Sequence, residues 1–158
     1  MMAGRFGVMN YNDYYANKLD EGETYQDFVA EQLLQRCGWV FMGYASKKYQ
    51  YEIGENKAGI EIKCQKNYKK YGNLCIETYE KTHSDNVVYA RSGIYRGDNS
   101  ILFITGDYDN IYIFSHTMLR LLEGKCKPYE NKYKTSKGYL LPIDMADKYC
   151  IKRIDITT

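Results

Sequence analysis

Apolar residues along the chain fall into two periods, helical and alternating. In GETYQDFVAEQLLQRCGW, Tyr25, Phe28, Val29, Leu33 and Cys37 recur at helical spacing, Thr24 with Asp27 has the form of a capping box, and Gly38 supplies a stop. This predicts a helix over 24–37. At ~100° per residue Gln26 falls beside Val29 and Leu33 on the inward face, while Asp27 and Glu31 point away. An extended run follows: WVFMGYAS, YQYEIG, a turn at ENKAG, GIEIKCQ, a polar loop KNYKKYG, and NLCIETYEK. Its alternation predicts strands of a meander, with 59–65 and 73–81 paired as neighbours. After a loop or short helix at 82–99, SILFITGDYDNIYIFS reads as a hairpin turning at Asp107 to Asn110 and running into a helix over 116–123 with Gly124 as its stop. A lysine-rich loop, a short strand, a turn of helix and a final strand complete the chain. The expected fold is α/β: a central, mixed, mostly antiparallel sheet flanked by helices.

The 158 residues suit one domain, read here as 1–158 with a polar leader through 21. A 44% hydrophobic content and only 2 prolines exclude a disordered or collagen-like chain. No window approaches a membrane span and MMAGRFGVMNYNDYY lacks the apolar core of a signal peptide, so a cytoplasmic protein without a membrane partner is expected. The 5 cysteines are widely spaced and never paired as C-x-x-C, and His83 and His116 are the only histidines, which disfavours a zinc site or a disulfide framework.

The net charge of +2 is small, but its distribution is uneven. Lys57, Lys63, Lys66, Lys69 and Lys70 face a single acid, Glu61, and a second basic stretch runs from Arg120 to Lys137. Such runs either track phosphates or form an ordinary solvated face. Several of the 18 tyrosines, Tyr68 among them, interleave with the first run, where they could stack on bases or simply fill a half-buried sheet.

Strand parity puts Glu61, Lys63 and Gln65 on one face of GIEIKCQ, and Glu77, Tyr79 and Lys81 on one face of NLCIETYEK. Paired with those faces together, the strands would bring two carboxylates and two lysines into one place. Oxygen ligands of this kind suit Mg²⁺ or Mn²⁺, and a lysine beside the ion could orient or deprotonate a water. The plain alternative is a set of exposed cross-strand charge pairs.

The order helix, strand, strand with an acid, strand with an acid and lysine, helix or loop, strand resembles the PD-(D/E)xK nuclease superfamily, in particular the small restriction-endonuclease-like proteins of phages and prophages. The resemblance covers most of the chain, from the first helix through GIEIKCQ and GNLCIETYEK to the hairpin and the helix after it. It implies Glu77 as the third-strand acid, Glu61 or Gln65 as the second-strand ligand, and Gln26 at the helix position. The lysine place two residues after Glu77 is Tyr79, so Lys81 or Lys63 would substitute. A second register takes Glu61 and Lys63 as the acid-x-lysine pair, with Glu52 or Glu55 upstream.

The resemblance implies a metal-dependent nuclease acting on DNA, with Glu61 and Glu77 holding the metal and Lys57, Lys66, Lys69, Lys70 and Tyr68 binding nucleic acid. Glutamines at two expected acid positions leave little negative charge, so Mg²⁺ would bind weakly and hydrolysis would be slow or absent. Cleavage of both strands of a duplex would call for a homodimer. The alternatives are a catalytically inactive relative that binds nucleic acid or protein, and a scaffold protein with a tyrosine-rich face.

Overall fold

The computed structural model describes residues 11–40, 59–81, 83 and 85–157. Helix α1 (Tyr11–Cys37) is followed by β1 (Ile60–Cys64), the helical turn α2 (Tyr68–Tyr71), β2 (Asn73–Glu80) and β3 (Ala90–Arg91). A 3-10 turn (Gly93–Tyr95) then leads to the hairpin of β4 (Leu102–Gly106) and β5 (Asn110–Ser115). Helix α3 (His116–Leu122), β6 (Lys127–Glu130), β7 (Ser136–Pro142), α4 (Ile143–Tyr149) and β8 (Lys152–Asp155) complete the order.

The fold is mixed α/β, with mostly antiparallel pairing and flanking helices, but the strands form two sheets. One has the order β1-β4-β5-β8, with β1 parallel to β4 and the other pairs antiparallel. The other, β3-β2-β7-β6, is antiparallel throughout. The expected pairing of 59–65 with 73–81 therefore does not occur. Alternation specifies that a segment is a strand and which side is apolar, not which strand lies beside it. Here α2 and Gly72, at φ +74°, replace a tight hairpin turn between β1 and β2, and β1 takes β4 as its ladder partner.

The first sheet is covered on both faces. Ile60, Ile62, Ile104, Ile111, Ile113 and Ile154 pack against Tyr25, Val29 and Leu33 of α1. On the opposite side Phe103, Tyr112 and Phe114 meet Leu74 and Ile76 of β2, Tyr139 and Leu141 of β7, and Leu119 of α3. Two covered faces explain why NIYIF is apolar at successive positions rather than at alternate ones.

Helix α1 extends further back than its apolar stripe. Thr24 lies mid-helix, where its hydroxyl donates to the Asp20 carbonyl at 2.9 Å instead of capping a start, and much of the expected leader is helical. Gly38 does end the helix, with φ +64° and its N–H donating to the Leu34 carbonyl at 3.0 Å. The hairpin turn falls where expected: the Asp107 Oδ1 accepts from the backbone N–H groups of Asp109 and Asn110. Helix α3 is capped by Ser115, whose hydroxyl accepts from the Met118 N–H at 3.0 Å. The lysine-rich loop contains strand β6. The expected strands in 41–58, with Glu52, Glu55 and Lys57, lie outside the described residues.

Candidate active site

Strand β1 places Ile60 and Ile62 under α1, so Glu61 and Lys63 emerge on the opposite face. Across the ladder, Glu61 stands beside Phe103 and Lys63 beside Thr105. The Thr105 hydroxyl donates to the Lys63 carbonyl at 2.7 Å and accepts from the Gln65 Nε2 at 2.9 Å. The same Gln65 amide nitrogen donates to the Cys75 carbonyl at 3.0 Å, and its Oε1 accepts from the Cys75 N–H at 2.7 Å. One side chain thus joins the end of β1 to the backbone of β2, which do not share a ladder.

That bridge sets Glu77, one strand repeat beyond Cys75, over Lys63. The Lys63 Nζ lies 3.8 Å from the Glu77 Oε2. The Glu77 carboxylate is held further by two hydroxyl donors, Ser92 to Oε1 and Ser136 to Oε2, each at 2.8 Å. Gly93 follows Ser92 at φ +52°, and a Cβ there would lie 2.1 Å from the Glu77 carbonyl oxygen, so only glycine lets the loop approach. Glu61, Lys63, Glu77, Gly93, Ile94 and Phe103 line one narrow cleft, packed closely enough to leave no room for a water molecule.

Glu61 is 8% exposed. Burial pushes its carboxyl up, but a side-chain hydrogen bond from His116 together with the charges of Lys63, His116 and Arg96 outweighs that and holds it below the ordinary carboxylate range. The His116 Nε2 is 3.5 Å from the Glu61 Oε2, a contact at the outer limit of a hydrogen bond, and this buried nitrogen has no better-aligned partner among the described residues. For Lys63, the desolvation that lowers an ammonium is exceeded by the carboxylates of Glu77 and Glu61, and its pKa is raised. Its side chain keeps 49% of its surface, so solvent screens part of this attraction. The Cys75 thiol nearby is pushed up by burial against the opposing pull of Lys63, and stays protonated at neutral pH.

The other expected site residues lie elsewhere. Half-buried Gln26 belongs to α1, which packs on the face of the sheet opposite Glu61 and Lys63. The Gln65 amide is engaged by Cys75 and Thr105, so it serves as a bridge rather than a ligand holder. Lys81 turns away, donating to the Asn86 carbonyl at 2.9 Å and lying 4.8 Å from the centre of the Tyr89 ring. Tyr68 is 3% exposed, packed edge-on to Tyr112, and unable to stack on a base. Lys69 is paired with Asp107 at 3.1 Å and Asp109 at 3.3 Å, and Lys66 with Glu21 at 3.4 Å. Lys70 is exposed on α2, its Nζ 5.6 Å from the Tyr71 ring centre. Sequence reasoning missed Ser92, Gly93, His116 and Ser136. The Ser-Gly dipeptide at a strand end and a scarce histidine opening a helix were the available signals.

Among the described residues no group of three His, Cys, Asp or Glu side chains is arranged to hold a metal ion. The cleft offers two carboxylates, within the one or two that Mg²⁺ uses when waters and substrate phosphate complete its shell, and it must widen to admit the ion with them. No family model, curated protein or solved structure matches the chain.

Proposed function

We propose that the chain is a metal-dependent nuclease with a restriction-endonuclease-like core, hydrolysing phosphodiester bonds of DNA at the cleft of Glu61, Lys63 and Glu77. The observation that carries this reading is the meeting of these three side chains, from two different sheets, in one concavity. It favours the register in which Glu61 and Lys63 form the acid-x-lysine pair over one that pairs Glu77 with Lys81. Glu61 and Glu77 would hold Mg²⁺ or Mn²⁺, which when bound supplies charge stabilisation for the phosphate and a more acidic water.

The chain's own residues divide the remaining work. Glu61 is kept ionised by His116, Lys63 and Arg96. Ser92 and Ser136 fix the direction of the Glu77 carboxylate. Lys63 carries its proton at neutral pH, so it acts as a positive group that orients the attacking water and the scissile phosphate rather than as a base. Substrate must part the Lys63–Glu77 contact to enter, and two charged ligands hold a dication weakly, so cleavage is slow.

The test is incubation of plasmid and single-stranded DNA with Mg²⁺ or Mn²⁺ against a chelator. Metal-dependent cleavage is expected, falling roughly 100-fold or more in Lys63→Met and in Glu61→Gln. Cleavage that survives both substitutions, or the chelator, overturns the assignment. The closed cleft favours a second reading, a nuclease fold that binds nucleic acid without cutting it; DNA binding with no cleavage in either metal would select that reading.

A further inference from the structure

The 3-10 turn that lines the cleft with Gly93 and Ile94 continues into Tyr95, which lies outside the catalytic set. Two arginines from different elements converge on its ring, with Cζ atoms 6.0 Å from the centroid for Arg91 and 5.4 Å for Arg120. Arg120 is aimed by its Nε, which donates to the Ile94 carbonyl at 2.7 Å. Arg91 pairs across the strands with Tyr79, whose ring centre is 6.5 Å from that of Tyr95. Both arginines are exposed, and among the described residues neither has a carboxylate within salt-bridge distance. Glu123 accepts from the Tyr95 hydroxyl, so among the described residues that touch this ring two guanidinium charges stand against one carboxylate.

We infer that Arg91 and Arg120, seated on Tyr95, form a phosphate clamp that holds the nucleic-acid backbone beside the scissile group. This rests on the nuclease reading for its placement, though not for its chemistry. Guanidinium groups suit the role because their planar fork matches two phosphate oxygens and they remain charged at any working pH. Seating them on an aromatic ring, with one nitrogen already fixed, reduces the freedom lost on binding. The same turn carries the ring on which the clamp sits and part of the cleft wall. A backbone phosphate gripped by the arginines would therefore bring its neighbour to Ile94, and so to Lys63. The lysine run of α2 lacks this geometry, since Lys69 is already neutralised by Asp107 and Asp109.

The experiment measures binding of fluorescein-labelled duplex and single-stranded oligonucleotides by anisotropy, with chelator present and sodium chloride varied. Without metal there is no cleavage, so failure of the clamp and failure of the nuclease reading are read separately. Each of Arg91→Ala and Arg120→Ala should weaken binding and reduce the slope of log affinity against log salt by about one, and the double variant by about two. Lys148→Ala, at an exposed position of α4, should leave the slope unchanged. Arg120→Lys keeps the charge while losing the Ile94 bond, and should retain the slope but lose affinity. An unchanged slope in a folded double variant, or no binding by the unsubstituted chain to either oligonucleotide, overturns the clamp. Thermal melting of each variant establishes folding, and Arg91, whose side chain makes no hydrogen bond or ion pair among the described residues, gives an answer even if Arg120→Ala does not fold.

Discussion

Glu61 is a carboxylate in a nearly buried place, a costly position unless positive groups compensate. The side chain of His116 and the positive charges of Lys63 and Arg96 supply that compensation, and its signature is a pKa below the ordinary value of 4.5. A group whose folded pKa is depressed adds stability above its unfolded pKa and loses it as pH falls through the folded one. Glu61→Gln should therefore unfold at lower urea concentration than the unsubstituted chain at pH 7, with the difference shrinking below about pH 4. Urea titrations of both proteins across that range check this; a constant difference at every pH would mean that the charge of Glu61 adds nothing to folding. Lys63 shows how parity and partner choice differ in legibility. Its shared face with Glu61 follows from a period of two, but its selection over Lys81 required knowing that Lys81 bonds the Asn86 carbonyl.

Among the elements, β1 and β2 do their work together without being hydrogen-bonded neighbours. Their connection is the Gln65 side chain, which satisfies both backbone groups of Cys75 and also bonds Thr105. Gln65→Ala should destabilise the fold by about 1–3 kcal/mol, because partly buried donors and acceptors lose their partners, and should reduce any cleavage by letting Glu77 shift away from Glu61, with which it would hold the metal. Chemical denaturation gives the first quantity and the DNA assay the second. Replacing Gln65 with Asp, which a ligand reading would regard as restoring a carboxylate, removes the amide donor to Cys75 and should likewise weaken the fold rather than activate it. The hairpin of β4 and β5 and the helix α3 were legible because their signals are local: an Asp-x-Asp-Asn turn and apolar residues at helical spacing. The start of α1 was not, since Asn12, Asp13, Asn17, Asp20 and Glu21 give the segment the composition of a polar leader.

Across the whole molecule, one sheet sandwiched between α1 and a second sheet holds the cleft together, because Glu61 and Lys63 belong to one sheet and Glu77 to the other. Phe114, fully buried between the sheets, is central to that contact. Phe114→Ala should cost about 3–5 kcal/mol. If the layers form one cooperative unit, Trp39, packed on the α1 side, should report the same shifted midpoint by fluorescence as far-UV circular dichroism does. Separate midpoints would show that α1 and the two-sheet core unfold independently. No helix among the described residues is long and apolar enough to cross a membrane.

Periodicity alone was enough to specify β1, β2, the hairpin of β4 and β5, the apolar face of α1, and the parity that sets Glu61 with Lys63, because each depends on residues a few positions apart; β3 and β6, read as loop, carry too short a pattern. It was not enough to say that β1 pairs with β4, that Gln65 bridges to Cys75, or that Ser92, Ser136 and His116 hold the two carboxylates. Those contacts join residues 10 to 59 positions apart, and no local pattern encodes which distant surface will lie opposite. Packing decides it: with apolar residues on both faces of β4 and β5, the first sheet needs a second layer on each side. The layer supplied by β2 and β7 is what delivers Glu77 to Lys63.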